Sequence, residues 1–260
     1  MSNYFTFTRK EITENLRTKR LLVLGCVFLS FAILSPLMAR FMGEIFAMLI
    51  PSTDETGQAL VAALSNPVWT ESYLQFYGNL AQVGIFAIIF MYMSIIQREI
   101  KTGTANLMFS KGLGHTTFIL SKFTVASIVI FIVTMVSVLV TYAYTLLLFD
   151  YGGQIGDVIL GGLVFSAGAI ALLAVIMMCS AVTKSTPASA GLSIGAYFIF
   201  VILGMLPRIG VISPTNLLGH PIALSTGTTP DDLVVNILLG VAVTIVALFF
   251  TTYAIAKAEG

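Results

Sequence analysis

Charge is what this sequence has least of. Lys, Arg, Asp and Glu together make up 10% of its 260 residues, whereas a soluble domain carries about 25%, so an ordinary water-facing globule is excluded. Cysteine is nearly absent. Cys26 and Cys179 lie far apart inside apolar runs and read as small buried hydrophobes, not as a disulfide or a metal pair. The two histidines, His115 and His220, fall in connecting stretches. No Gly-x-x-x-x-Gly-Lys-Ser/Thr occurs, although SKGLGHTT (110–117) holds the same residue types in scrambled order. The chain is therefore not expected to bind or hydrolyse ATP itself. No Asn-x-Ser/Thr acceptor is present either.

What remains is apolar. Hydrophobic residues make up 57% of the chain and the mean hydropathy is +0.97. Six apolar runs stand near 21–39, 80–96, 119–148, 158–182, 188–206 and 233–256, each long enough to cross a ~30 Å hydrocarbon layer as a helix. The expected fold is an all-α membrane protein with six transmembrane helices, a single transmembrane domain over 1–260. The first run exceeds the about 7–15 residues of a signal-peptide core and lacks a small-x-small cleavage site, so it reads as a retained anchor. Six crossings put both termini on one side. That side then holds eleven basic residues, and the other holds only Arg40 and Arg208. Excess Lys and Arg mark the cytoplasmic face.

Two segments carry most of that basic charge. Residues 1–20 include Lys10, Glu11 and Arg17, with Phe5, Ile12 and Leu16 on one helical face. This pattern predicts an amphipathic helix lying in the cytoplasmic interface; a solvated basic tail is the alternative. Residues 97–122, QREIKTGTANLMFSKGLGHTTFILSK, hold Arg98, Lys101, Lys111 and Lys122. Each such charge costs about 2.5–3.5 kcal/mol at a bilayer centre, so the stretch is assigned to cytosol. Gly103 ends the preceding helix and Thr104 is a fair N-cap for TANLMFS, a short helix with Leu107 beside Met108. On the outer side, Trp69, Tyr73, Phe76 and Tyr77 read as an interfacial aromatic belt.

The run Arg98-Glu99, Gly103-Thr104, Leu107, Ser110 and on to Lys122-Phe123 resembles the loop between spans two and three of ABC-2-type ABC transporter permeases. RKEITENLRTKRLLVL (9–24) is similar to that family's N-terminal segment, so the likeness covers the whole chain. One departure is Lys111-Gly112-Leu113-Gly114-His115, where many members carry a proline turn. The resemblance implies a transport subunit and not an enzyme. Its ATP and Mg belong to a separate cytoplasmic ABC ATPase, and no cofactor is held in this chain. It implies that residues 104–110 form a coupling helix. Glu99, Gly103 and Thr104 shape the loop, and Leu107, Met108 and Ser110 meet the ATPase. The implied partners are that ATPase, a second permease copy (identical or not) and membrane lipid, with no nucleic acid. The implied setting is a prokaryotic cell membrane and the usual direction is export. Spans two and five would line the pathway through Phe86, Phe90, Tyr197, Phe198 and Phe200.

Rival readings are fewer. GLSIG (191–195) satisfies Gly-x-Ser-x-Gly inside a span, and an intramembrane hydrolase would use Ser193. Such a serine needs a base within hydrogen-bond reach, and both histidines fall in loops. Gly191 and Gly195 otherwise predict a small-residue face for close helix packing. A membrane adaptor without transport activity is the other alternative. Charges are missing from the middle of the spans, which argues against an ion-coupled carrier. The segment 207–232, with its prolines and apolar stretches, is expected to form short helices at the exit.

Overall fold

The computed structural model describes residues 2–49, 67–206 and 213–259, and among them there is no strand. Six helices among the described residues are long and apolar enough to cross a membrane: Arg20–Leu49, Trp69–Lys101, His115–Phe149, Ile155–Val182, Thr186–Gly204 and Leu233–Lys257. These are the first to sixth spans. A lead helix, Ser2–Arg17, precedes them, and Lys19, at φ 57°, turns the corner into the first span. Several helices outrun their apolar runs. The first continues from Ala39 to Leu49, and the second starts at Trp69 and not near residue 80. Backbone hydrogen bonding carries a helix past the end of its hydrophobic stretch, and a lone glycine such as Gly43 or Gly78 does not stop it. The third, at 35 residues, is about 50 Å long and overhangs a bilayer.

The fourth span is the hub. In its most apolar window 72% of residues are buried, against 17% for the sixth span, so the other helices pack around it. The reason is in its side chains. Gly161, Gly162, Ser166, Gly168, Ala169, Ala171 and Ala174 are all buried, and small residues let neighbouring backbones come close where lipid offers no hydrophobic drive.

Two of those glycines seat an element from late in the chain, the short helix Asn216–Ser225, which buries Leu217, Leu218, Pro221, Leu224 and Ser225. A Cβ on Gly168 would stand 2.9 Å from the Leu217 Cβ, and one on Gly161 would strike Ser225 and the Pro221 carbonyl. The helix therefore descends alongside the fourth span to the middle of its length. Such a segment is tolerated at depth because protein, not lipid, surrounds it. Residues 207–212 of the expected exit segment lie outside the described residues.

Two expectations are corrected. Tyr73, Phe76 and Tyr77 are fully buried and do not form an interfacial belt. Their helix is wedged between the first and third spans and the Asn216–Ser225 helix, and the Tyr73 hydroxyl donates to the Gly152 carbonyl at 2.7 Å. Trp69 stacks edge-on against Tyr151, 5.3 Å between ring centres. Gly191 and Gly195, expected to pack closely, are exposed, and a Cβ added at either would meet nothing within 4 Å. Close glycine contacts lie elsewhere, among them those of Gly161, Gly162 and Gly168 on the fourth span and Gly240 on the sixth.

Replacing Gly168 with Leu should destabilise the fold by about 1–3 kcal/mol, the usual range for overpacking. Gly156→Leu, at an exposed position of the same span where an added Cβ meets nothing within 4 Å, should leave stability nearly unchanged. Thermal unfolding of both variants in detergent tests this, and equal shifts would contradict the seating of the short helix.

Candidate functional site

The lead helix, the second-to-third connection and the last turn of the sixth span lie at one end of the bundle, here the terminal end. The connection is built from two short helices, Gln97–Lys101 and Thr104–Ser110, with Gly103 between them at φ 71°. That left-handed backbone costs a residue with a Cβ and suits glycine. Gly103, one residue earlier than expected, is the cap. Thr104 is the first helical residue, and its hydroxyl donates back to the Glu99 carbonyl at 3.2 Å.

The loop helix presents two unlike faces. Leu107 is 64% exposed and Ala105 is fully buried. Met108 and Phe109 are half-buried and packed against the core. Sequence spacing puts Leu107 beside Met108, but the structure turns one out and tucks the other in. Ser110 is exposed, its Oγ donating to the Leu107 carbonyl. Arg98, Lys101, Asn106 and Lys111 share the outer surface.

Beneath this surface lies a buried ion cluster. The Lys122 ammonium donates to both oxygens of Glu11, at 3.0 and 2.9 Å, and to Glu99 Oε1 at 2.6 Å. The Lys122 and Glu11 side chains are only 2% and 3% exposed. Lys10 joins at the rim, 3.5 Å from Glu14 and 3.8 Å from Glu99. The sequence pattern puts Lys122 in an aqueous loop, and the structure corrects this. The residue sits inside the third span's helix, with its charge met by two carboxylates and not by water. Phe7 and Phe118 rings flank it, 6.0 and 5.2 Å away, and an ammonium over such faces gains further attraction. Phe118 in turn meets Phe109 edge-on at 5.4 Å, so aromatic contact continues into the loop helix.

The cluster explains the lead helix. Phe7, Glu11 and Asn15 are buried at helical spacing, whereas Phe5 and Ile12 are exposed on the opposite side. One face grips protein through charge, and the outward one carries Phe5 and Ile12 beside exposed Arg9 and Thr13. Arg17 is exposed and takes no part. Lys10 titrates above the ordinary lysine value. Partial burial pulls that value down, and Glu99, then Glu11 and Glu14, more than offset it. A lysine so raised stabilises at any pH below its unfolded value and loses that contribution only above it, so the effect is intact across neutral pH. Glu11, Glu14 and Glu99 come close enough to hold a cation, and the Lys10 and Lys122 ammonium groups already pair with them.

A second lock holds the connection from the other side. Ser180 Oγ accepts from the backbone N–H groups of Ile96 and Gln97, at 3.2 and 3.1 Å. Gln97 donates to the Lys184 carbonyl at 2.9 Å and accepts from the Thr186 hydroxyl. Ser189 donates to the Met93 carbonyl at 2.5 Å. The turn at residues 93–96 leaves backbone groups without helical partners, and these side chains supply them. Nothing in the spacing of Gln97, Ser180 or Thr186 announces this; only their position at span ends hints at it.

The five aromatic pathway candidates separate. Phe86, Tyr197 and Phe198 cluster between spans two and five, with ring centres 6.0–6.3 Å apart. The Tyr197 hydroxyl donates to the Ala81 carbonyl at 2.6 Å, inside a π-helical turn at Leu80–Gly84. Phe90 is exposed on the second span. Phe200 instead packs toward Val175 and Val243 of the fourth and sixth spans. Ser193 is fully buried near Cys179. His220 bonds Asn236 at the far end, and His115 stacks on Phe109 at the terminal end, so neither is placed to serve Ser193 as a base.

A family model described as "ABC-2 family transporter protein" matches residues 6–258. No curated protein matches the chain.

Lys122→Met should cost about 3–5 kcal/mol, because it strands two buried carboxylates. Adding Glu11→Gln and Glu99→Gln should recover most of that loss. Unfolding midpoints in detergent measure both, and equal midpoints for the single and triple variants would show that the ion cluster does not hold the terminal end together.

Proposed function

We propose, from the premise that this chain belongs to the ABC-2 transporter family, that it is the membrane half of an exporter driven by a separate ATPase chain. Membership makes it a transmembrane permease of an ABC transporter and a transport subunit, not an enzyme. It also implies an ATP-binding-cassette partner. In our reading the terminal end faces the cytosol of a prokaryotic cell, because nearly all basic residues gather there. The lead helix lies in the interface with Phe5 and Ile12 toward lipid.

The observation that carries the proposal is Leu107. A large apolar side chain stands 64% exposed among Lys101, Lys111 and Arg98, on a helix whose other face is fixed to the core. A solvent-facing leucine so rigidly presented suits insertion into an apolar groove of a soluble partner. Residues 104–110 are then the coupling helix. ATP and Mg bind in the partner, whose closure pushes through Glu99, Lys122 and Gln97 on spans two to five. The rearrangement opens a path beside Phe86, Tyr197 and Phe198. The exposed glycine face at Gly191 and Gly195 on the fifth span suits close approach of a second copy.

The chain purified from its host's membranes in mild detergent should bring an ATPase with it. Burying a leucine contributes about 1.5–3 kcal/mol, so Leu107→Asp should weaken that association roughly tenfold or more while leaving the unfolding midpoint unchanged. Retention of the ATPase by the variant would exclude Leu107 as the contact, and an eluate without ATPase activity would sink the reading. Gly195→Leu should shift the purified permease from dimer to monomer by light scattering. An undisturbed dimer would move the copy-to-copy contact elsewhere.

A further inference from the structure

Coupling leaves one feature of the terminal end unused. A cavity of about 930 Å³ opens between the Gln97–Lys101 helix and the ends of the fourth, fifth and sixth spans. Its wall is apolar, with Met178, Leu192, Phe250 and Tyr253 among the lining residues. Leu192, Phe250 and Tyr253 are also exposed to the surroundings of the bundle, so the cavity is open sideways. Its rim carries Lys101, Lys184 and Lys257, each from a different element, and no acidic residue lines it. Lys10 and Lys122 sit among carboxylates, but these three lysines make no ion pair among the described residues.

An apolar trough lined by three lysines and no acid fits one chemistry, that of an anionic amphiphile. Basic pockets between membrane helices at the cytoplasmic side hold acidic lipid headgroups, and the volume falls in the range of ligand sites. We propose that this cavity binds an anionic phospholipid of the cytoplasmic leaflet. Its phosphate sits among Lys101, Lys184 and Lys257, and an acyl chain lies along Leu192, Phe250 and Tyr253. The assignment rests on the orientation given under the proposed function. A second copy of the chain is the poorer occupant: a two-fold interface apposes identical patches, which here would set lysines against lysines. Lys101 and Gln97 belong to the root of the loop helix, so an occupied cavity braces the part of the chain that meets the ATPase.

The test uses the full chain in detergent, stripped of lipid and offered phosphatidylglycerol or phosphatidylcholine, with bound lipid counted by native mass spectrometry. The wild type should prefer phosphatidylglycerol at least about tenfold, and the exposed-lysine variant K101Q/K184Q/K257Q should lose that preference. Equal binding of the two lipids, or a preference that survives the triple variant, would overturn the proposal. Displacement of phosphatidylglycerol by millimolar inorganic phosphate would reduce the site to an anion site and also overturn it. A triple variant that changes oligomeric state with lipid preference intact would assign the face to a second copy. ATPase co-purification is scored on the same preparations. Its loss with lipid preference retained would count against the transporter reading alone, and the converse against the lipid site alone.

Discussion

One ammonium group, Lys122 Nζ, decides how the terminal end is put together. It is almost fully buried, and it is shared by Glu11, 111 residues away in sequence, and Glu99, 23 residues away. In a low-dielectric setting a buried charge persists only while it is paired, and removing one partner leaves a larger penalty than the pair ever gained. The lead helix, the root of the loop and the third span are therefore obliged to keep the same relative position. None can slide without exposing an uncompensated charge to an apolar surround. The aromatic contacts from Phe7 through Phe118 to Phe109 pack against this centre and would not hold it by themselves, since such pairs contribute only about 0.5–1.5 kcal/mol beyond their burial.

The Gln97 knot completes the clamp from the opposite side by tying the same loop root to the fourth and fifth spans. The root of the loop is thus bonded to the lead helix and to the third, fourth and fifth spans, and it continues directly into the second. That span leaves α-helical hydrogen bonding at two places, the π turn at Leu80–Gly84 and the turn at 93–96. Departures of this kind are where helices bend and where functional sites concentrate. One of them is bonded to Tyr197 and the other to Ser180 and Ser189, so both interruptions of the second span are read by its neighbours.

The six spans were legible because hydropathy is a property of each window alone. The loop with its glycine turn was legible for a similar reason, since Gly103 and the charges around it are local signals. What the sequence concealed was pairing. Lys122 looks like the tail of a basic loop because its carboxylates come from elsewhere in the chain. Gly191-x-x-x-Gly195 advertises close packing, yet that face is bare. Gly161 and Gly168, seven residues apart, do the packing because a short helix from much later in the chain happens to lie on them. Tyr73 and Tyr77 read as belt residues because a tyrosine suits an interface and a core equally well. Deciding between these requires knowing what covers the helix, and periodicity is silent on that.

The distribution of charge bears on where the energy for transport enters. Among the described residues, the ion cluster sits at the end of the bundle, and the span interiors hold hydroxyls such as Thr134, Ser137 and Ser193 but no paired acid and base. A carrier driven by an ion gradient needs a titratable or ion-binding group that samples both sides from within the membrane. Here the buried ions among the described residues are committed to holding a solvent-facing surface in place. That placement supports the proposed route, in which energy arrives through that surface as a mechanical push. The same economy accounts for the bareness of the fifth and sixth spans, whose windows are only 22% and 17% buried. Their outward faces are apolar, as a helix at the edge of a membrane bundle requires.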